Sequence, residues 1–403
     1  MGGEYSAAEE FIIECTRAAI DDRTVSAERF QPDLEWDTVV ELAAKHGIRP
    51  IVLAALETGS SSAVPPDVLE TLQAQVRLIT QRNLRLLQEV ESLSTALRDA
   101  GIRAIPYRGP VASEIVFRNV GWREFGDVDL LVPRADIPAA TSILRAHGYE
   151  QQYVLERTDD LTDRQRCAYA RFSRDYAFEH SSEPFEVELH WRIVSQRFPT
   201  AIRLESVWDR RSTLSVAGTD VPVLAPEDRL LTLCVHGTRH RWERLVWLCD
   251  VGAYLSRQSF DWTAVLQRAR SHHCERMLYL GLAIANELFD GPLPDRVRRA
   301  IEADSAITSL KSHVYERLFD DQLHWYLDIK RYQARTLERR RDRAAFWLKG
   351  ALIPDRGAIE LVSLPRPLFP LYSAVRCLRI GRAAADRLRP GGRSRVDSQG
   401  TKR

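Results

Sequence analysis

The carboxylates of Gly126-Asp127-Val128-Asp129-Leu130-Leu131-Val132 are the first place where this sequence could do chemistry. Side chains of an extended strand alternate faces, so Asp127 and Asp129 project to one side and Val128, Leu130 and Val132 to the other. Neighbouring carboxylates repel unless positive charge lies between them. A divalent cation supplies it, and Mg²⁺ favours hard oxygen ligands. Two such ions about 3.5–4 Å apart can activate an attacking oxygen and stabilise a leaving one in phosphoryl transfer. A third carboxylate follows by the same logic. In Phe185-Glu186-Val187-Glu188-Leu189-His190-Trp191 the apolar residues share one face, and Glu186, Glu188 and His190 share the other. A strand beside the aspartates could bring Glu188 to the same ions. Acids on the solvent face of antiparallel strands give the same pattern, and the sequence leaves both readings open.

Other polar residues are candidates for the same neighbourhood. Arg123, four residues before Asp127, could neutralise triphosphate charge or orient the aspartates. His236, Arg239 and His240 fall on one helical face, which could line a nucleotide or acceptor cleft together with His190, or simply pack against the sheet domain. The His236/His240 spacing could bind zinc, but Gly237 stands where a zinc protease carries glutamate. Asp250, set among apolar residues, needs a partner, for which Arg239 or Arg244 would serve. Lys330 to Arg343 is strongly basic and reads as a solvated helix laced with Glu338 and Asp342, or as a contact for RNA or an acidic acceptor. Leu364 to Ile380 mixes prolines, aromatics, Arg376 and Arg379. It suits packing over a core, the reading taken here, or contact with a membrane surface.

These residues must be positioned by an α+β fold. Residues 1–100 have helical periodicity over Ser6–Ile20, Trp36–His46 and a long run from Pro65 or Pro66 to Ala100. Residues 101–224 switch period. Strands are expected at Ile102–Tyr107 and Phe125–Val132, and helices at Val111–Phe117 and Ala135–His147, the latter closed by Gly148. Hairpins are expected at Tyr176–His180 with Phe185–Trp191, and at Leu214–Val216 with Val221–Leu224. From Pro226 the chain turns helical again, at about 227–239, 243–257, 261–272 and 275–289 and beyond 294. This gives four regions: helical 1–100, a small mixed-sheet core at 101–224, a helical domain at 225–387, and a disordered tail at 388–403.

Composition excludes several classes. The chain has 403 residues, enough for more than one domain. With 57 basic and 56 acidic side chains its net charge is +1, which argues against bulk nucleic acid as the partner. Five of the basic residues are lysines and 52 are arginines, so a single arginine is weak evidence of purpose. Six scattered cysteines without a CxxC pair suit reduced thiols in a cytoplasmic protein. No signal peptide or membrane-spanning run is expected. P-loop, nucleophile-elbow, kinase and dinucleotide-binding motifs are absent.

Taken together, Tyr107-Arg108-Gly109-Pro110, Arg123, Gly126 to Val132, Gly148-Tyr149 and Glu188-Leu189-His190-Trp191 resemble the bacterial uncharacterised nucleotidyltransferase family. That family belongs to the DNA polymerase β-like superfamily. The resemblance continues through His236, Trp242, Leu245, Trp247, Leu248, Asp250 and Trp262, with a weaker echo at Leu368–Tyr372 and Arg376. It implies that Asp127, Asp129 and Glu188 bind Mg²⁺ or Mn²⁺, two ions in all. It further implies that Arg108, Gly109, Ser113 and Arg123 hold an NTP, with ATP favoured, and that NMP passes to a hydroxyl acceptor with release of pyrophosphate. One departure stands out. The superfamily usually has Gly-Ser in its phosphate turn, whereas this chain has Gly109-Pro110, and Pro110 lacks a backbone N–H. The helix that follows still offers a positive N-terminus to phosphate. A toxin-like enzyme acting on tRNA or protein, and a nucleotide-binding or scaffolding module without turnover, remain as alternatives.

Overall fold

The computed structural model describes residues 5–31, 34–59, 63–153, 161–200, 202, 204–216, 218–320 and 326–388. The tail expected to be disordered lies outside them from residue 389 on, while Leu388 still ends a helix. The described residues divide into two units: those within 1–152, 175–194 and 200–343 form the first, and those within 153–174, 195–199 and 344–388 the second.

The first unit opens with α1 (Ala7–Ile20), α2 (Trp36–His46), α3 (Arg49–Thr58) and α4 (Pro66–Asp99). A capping box between Ser6 and Glu9 starts α1, and Pro66 occupies the first turn of α4, where its missing N–H costs nothing. Along α4, Leu86, Val90, Leu93 and Leu97 recur at helical spacing and are fully buried.

A five-stranded sheet packs beneath α4. Its strands are β1 (Ile105–Pro106), β2 (Asp127–Leu131), β3 (Tyr149–Gln152), β4 (Asp175–His180) and β5 (Glu186–His190), in spatial order β1-β2-β5-β4-β3. Between them lie α5 (Pro110–Phe117), α6 (Ile137–Ala146) and α7 (Asp163–Phe172), the last in the second unit. β2 and β5 run parallel, and every other neighbouring pair runs antiparallel. Val128, Leu130, Val132, Val187 and Leu189 share one core with the α4 leucines, which leaves the other face of β2 and β5 to the polar residues. After α8 (Leu204–Asp209) comes a separate hairpin, β6 (Ser212–Val216) with β7 (Thr219–Val223).

Helices complete this unit: α9 (Pro226–Arg239), α10 (Leu245–Arg257), α11 (Trp262–Ser271), α12 (Glu275–Phe289), α13 (Asp295–Ala303), α14 (Ala306–Arg317) and α15 (Tyr326–Arg335). The chain then enters α16 (Arg340–Leu352), which crosses into the second unit. There α7 joins α17 (Arg356–Leu361) and α18 (Tyr372–Leu388) around Ala168, Ile359, Phe369 and Tyr372.

The sequence reading differs from the structure in places. β1 keeps two residues of the six-residue strand expected at 102–107. The elements α3, α7 and β3 were not anticipated. The basic stretch Lys330–Arg343 is not one helix, because residues 336–339 separate α15 from α16. Several of its arginines serve the fold: Arg339 donates to the Arg270 carbonyl at 3.2 Å, and Arg343 to the carbonyls of Leu337 and Glu338 at 3.0 and 3.1 Å.

Candidate active site

Strand register builds the site. Parallel pairing sets Asp127 opposite Glu186 and Asp129 opposite Glu188, and residues opposite one another in a ladder share a face. The alternation read from sequence therefore becomes one acidic surface across two strands. β4 adds Asp175, which lies opposite His190.

His190 is the hub of this surface and is fully buried. Its Nε2 lies 2.7 Å from Asp129 Oδ1 and 2.9 Å from Glu188 Oε2, while its Nδ1 is 3.7 Å from Asp175 Oδ2. Burial alone would lower the imidazole's pKa, but the hydrogen bonds to Asp129 and Glu188 outweigh it and hold the pKa above the ordinary value. Arg108 also donates to Asp129 Oδ1. Burial pushes the Asp129 carboxyl up, yet Arg108 and His190 overcome that and hold it well below the usual range. Asp127 has the opposite fate. Burial and then the neighbouring charge of Asp129 raise it to about 6, against the pull of Arg108.

Arg108 links the sheet to the helices. Its Nη1 lies 2.8 Å from His236 Nδ1 on α9. A guanidinium can only donate, so His236 accepts at Nδ1 and carries any proton on Nε2. Burial, reinforced by the charge of Arg108, holds His236 well below the ordinary histidine pKa, which keeps it neutral. Its ring is 4.7 Å from that of His240 and 5.2 Å from that of Trp247 on α10.

Gly109 makes the close turn into α5. Its φ is +69°, and a Cβ there would stand 2.7 Å from the Asp127 carbonyl oxygen, so no side chain fits. Pro110 follows at the first helical position. The approach to β2 is held from α4: Arg82 donates to the carbonyls of Phe125 and Gly126 at 3.2 and 2.9 Å. Buried Asn83 donates to those of Val120 and Arg123 at 2.7 and 2.8 Å.

Of the residues expected at the site, Asp127, Asp129, Glu188 and His190 share the acidic surface, and Arg108 and His236 connect to it. Arg123 pairs with Asp250, its Nε 3.0 and 3.1 Å from the two carboxylate oxygens, so the partner of Asp250 is Arg123 rather than Arg239 or Arg244, while the charge of Arg123 still helps to lower Asp127. Ser113 is fully buried and donates to the Asn119 carbonyl at 3.1 Å. The backbone carbonyl of Arg239 accepts from Gln333. Sequence reasoning missed Asp175, Arg82 and Asn83. The polar alternation of β4 hinted at Asp175, but nothing local marks the two α4 residues.

The donor set suits a divalent cation. Ligand atoms of Asp129, Glu188 and His190 lie within 4.8 Å of one another. Burial and the charge of Asp129 raise Asp127 on the same face, and a cation bound there would offset both. The carboxylate oxygens match a hard ion, whereas His190 would have to shed its Nε2 proton before ligating.

A mixed sheet with in-register carboxylates beside a tight glycine turn and a helix N-terminus defines an α+β nucleotidyltransferase domain. The family model for an uncharacterised nucleotidyltransferase matches residues 32–290, and the chain belongs to that family. No curated protein and no solved structure gives a significant match. Family membership supports nucleotidyl transfer in general and an NTP as substrate.

Proposed function

We propose that the protein is a Mg²⁺-dependent nucleotidyltransferase that moves NMP from an NTP, ATP foremost, to the hydroxyl of a small molecule, peptide or protein. The observation that carries this reading is the register of Asp129 with Glu188 on the parallel β2–β5 pair, with Asp127 on the same face. Asp127, Asp129 and Glu188 would hold the metal, which supplies charge neutralisation at the phosphates. Gly109 brings the N-terminus of α5 against β2, where its free N–H groups and dipole favour phosphate. Arg108, the residue before Gly109, would exchange Asp129 for a phosphate oxygen. Glu188 accepts the acceptor's hydroxyl proton. The new bond joins that oxygen to the α-phosphorus, the bond to the bridging oxygen breaks, and pyrophosphate leaves. His236 and Trp247 face the acceptor side with His190, Arg239 and His240.

One observation favours a second reading, a nucleotide-binding module without turnover. A guanidinium and an imidazole already satisfy Asp129 Oδ1, where the metal's charge would act. The test incubates the full chain with α-labelled NTPs, Mg²⁺ and a cell extract. Label transfer that vanishes in Asp129→Asn and Glu188→Gln supports the enzyme. Transfer that persists in both variants refutes the proposed site, and nucleotide binding without transfer supports the module.

A further inference from the structure

In the second unit α16 and α18 turn apolar faces outward. On α16, Trp347 and Leu348 are 43% and 61% exposed, and Leu352, one turn on, is 48% exposed. On α18 the exposed residues Ala374, Cys377, Leu378 and Gly381 recur at i, i+3, i+4 and i+7, and Leu378 is 75% exposed. Such spacing normally marks the side that a helix buries. Here that side is open, and the opposite one carries the partnered charges: Arg376 and Arg379 both reach Asp355. The unit's own core is already filled by Ile359, Phe369 and Tyr372.

The two apolar faces adjoin. Ser373 Oγ donates to the Leu352 carbonyl, Arg376 Nη1 to that of Ile353 at 2.8 Å, and Cys377 Sγ lies 3.7 Å from that of Ala351. Leu361 at the end of α17, and Val362, Leu368 and Leu371 on the segment before α18, are also exposed. Nine of the twelve exposed large apolar side chains found among the described residues thus fall within 347–380. Exposed apolar side chains gathered on two adjoining helices mark an interaction site.

Charge identifies the occupant. From Ala344 to Arg382 the sequence carries six Lys or Arg against two Asp or Glu, a net +4 in a chain whose total is +1. Exposed Arg366 and Arg382 lie beside the apolar residues. A second copy of this surface would meet the first with like charge. Nucleic acid would gain nothing from exposed leucines. An anionic bilayer takes up both, with apolar side chains entering the headgroup boundary and arginines meeting lipid phosphate. No helix among the described residues is long and apolar enough to cross a membrane, so insertion would stop at the interface.

We propose that the α16–α18 surface docks the protein on the face of an anionic phospholipid membrane. This does not rest on the nucleotidyl-transfer reading. The full chain is mixed with vesicles of phosphatidylcholine alone or with about one-third phosphatidylglycerol, and partition is read by sedimentation. Binding is expected to the anionic vesicles, to weaken with salt, and to fall at least about tenfold in Leu348→Glu/Leu378→Glu, since both changes put charge into the bilayer interface. Both positions are exposed, and unchanged circular dichroism and melting temperature show that the variant still folds. Arg382→Gln should lower binding to anionic vesicles alone. Absence of binding at low salt overturns the proposal. So does equal binding by the double-Glu variant, tighter binding to RNA than to vesicles, or a vesicle-independent dimer that the double-Glu variant dissolves.

Discussion

At the scale of residues, two carboxylates on one strand face are pushed in opposite directions. Arg108 and His190 hold Asp129 low, whereas burial, and then the charge of Asp129, raise Asp127 to about 6. This sets a pH dependence with a definite sign. Below pH 6 Asp127 binds a proton that a metal must displace, whereas above it the carboxylate is ready. Calorimetric Mn²⁺ affinity should therefore fall as pH drops from 7 to 5, by up to about tenfold per unit for one displaced proton. An affinity independent of pH would remove Asp127 from the ligand set. The aspartates and Glu188 were legible in the sequence because a strand's period of two is local and the acids interrupt an apolar run. Arg108's engagement with both Asp129 and His236 was not, since it joins residues up to 128 positions apart.

At the scale of elements, the register of β2 against β5 decides whether the site exists. A one-residue slip would turn Glu188 into the core. α4 guards the entry to β2 through Asn83, whose buried amide holds two carbonyls. Asn83→Ala should cost about 1–3 kcal/mol in urea unfolding, as both acceptors lose their donor. The loss of nucleotide affinity should be larger than for an exposed α4 substitution of equal stability cost. Gly237 shows a different constraint on α9, because a Cβ there would enter the Trp242 ring at 2.2 Å. The residue that argued against a zinc protease motif is thus a packing requirement. Helices and hairpins were largely legible from period and turn residues. The break at 336–339 was not, because charge density carries no period. The outward face of α18 was weighed as a membrane contact but read as packing for a related reason: its spacing is that of a buried stripe, and exposure depends on what else the fold supplies.

At the scale of the whole molecule, the near-neutral total hides polarity: the last 60 residues carry +8, so the rest of the chain is net acidic. Within the first unit, the Arg123–Asp250 pair joins the segment leading into β2 to α10, with side chains only 12% and 5% exposed. Asp250→Ala would strand a buried guanidinium and should cost about 3–5 kcal/mol, read as a lowered unfolding midpoint. A loss below about 1 kcal/mol would show the pair to be solvated. The sequence pointed to both residues but assigned them different partners, since a single chain does not reveal which distant charges meet.

The most direct measurement is Mn²⁺ binding followed by electron paramagnetic resonance in the wild type, Asp129→Asn and Glu188→Gln. A bound-ion signal is expected in the wild type and lost in both variants, with ATP altering the signal of the wild type alone. Equal Mn²⁺ binding by all three proteins would contradict that.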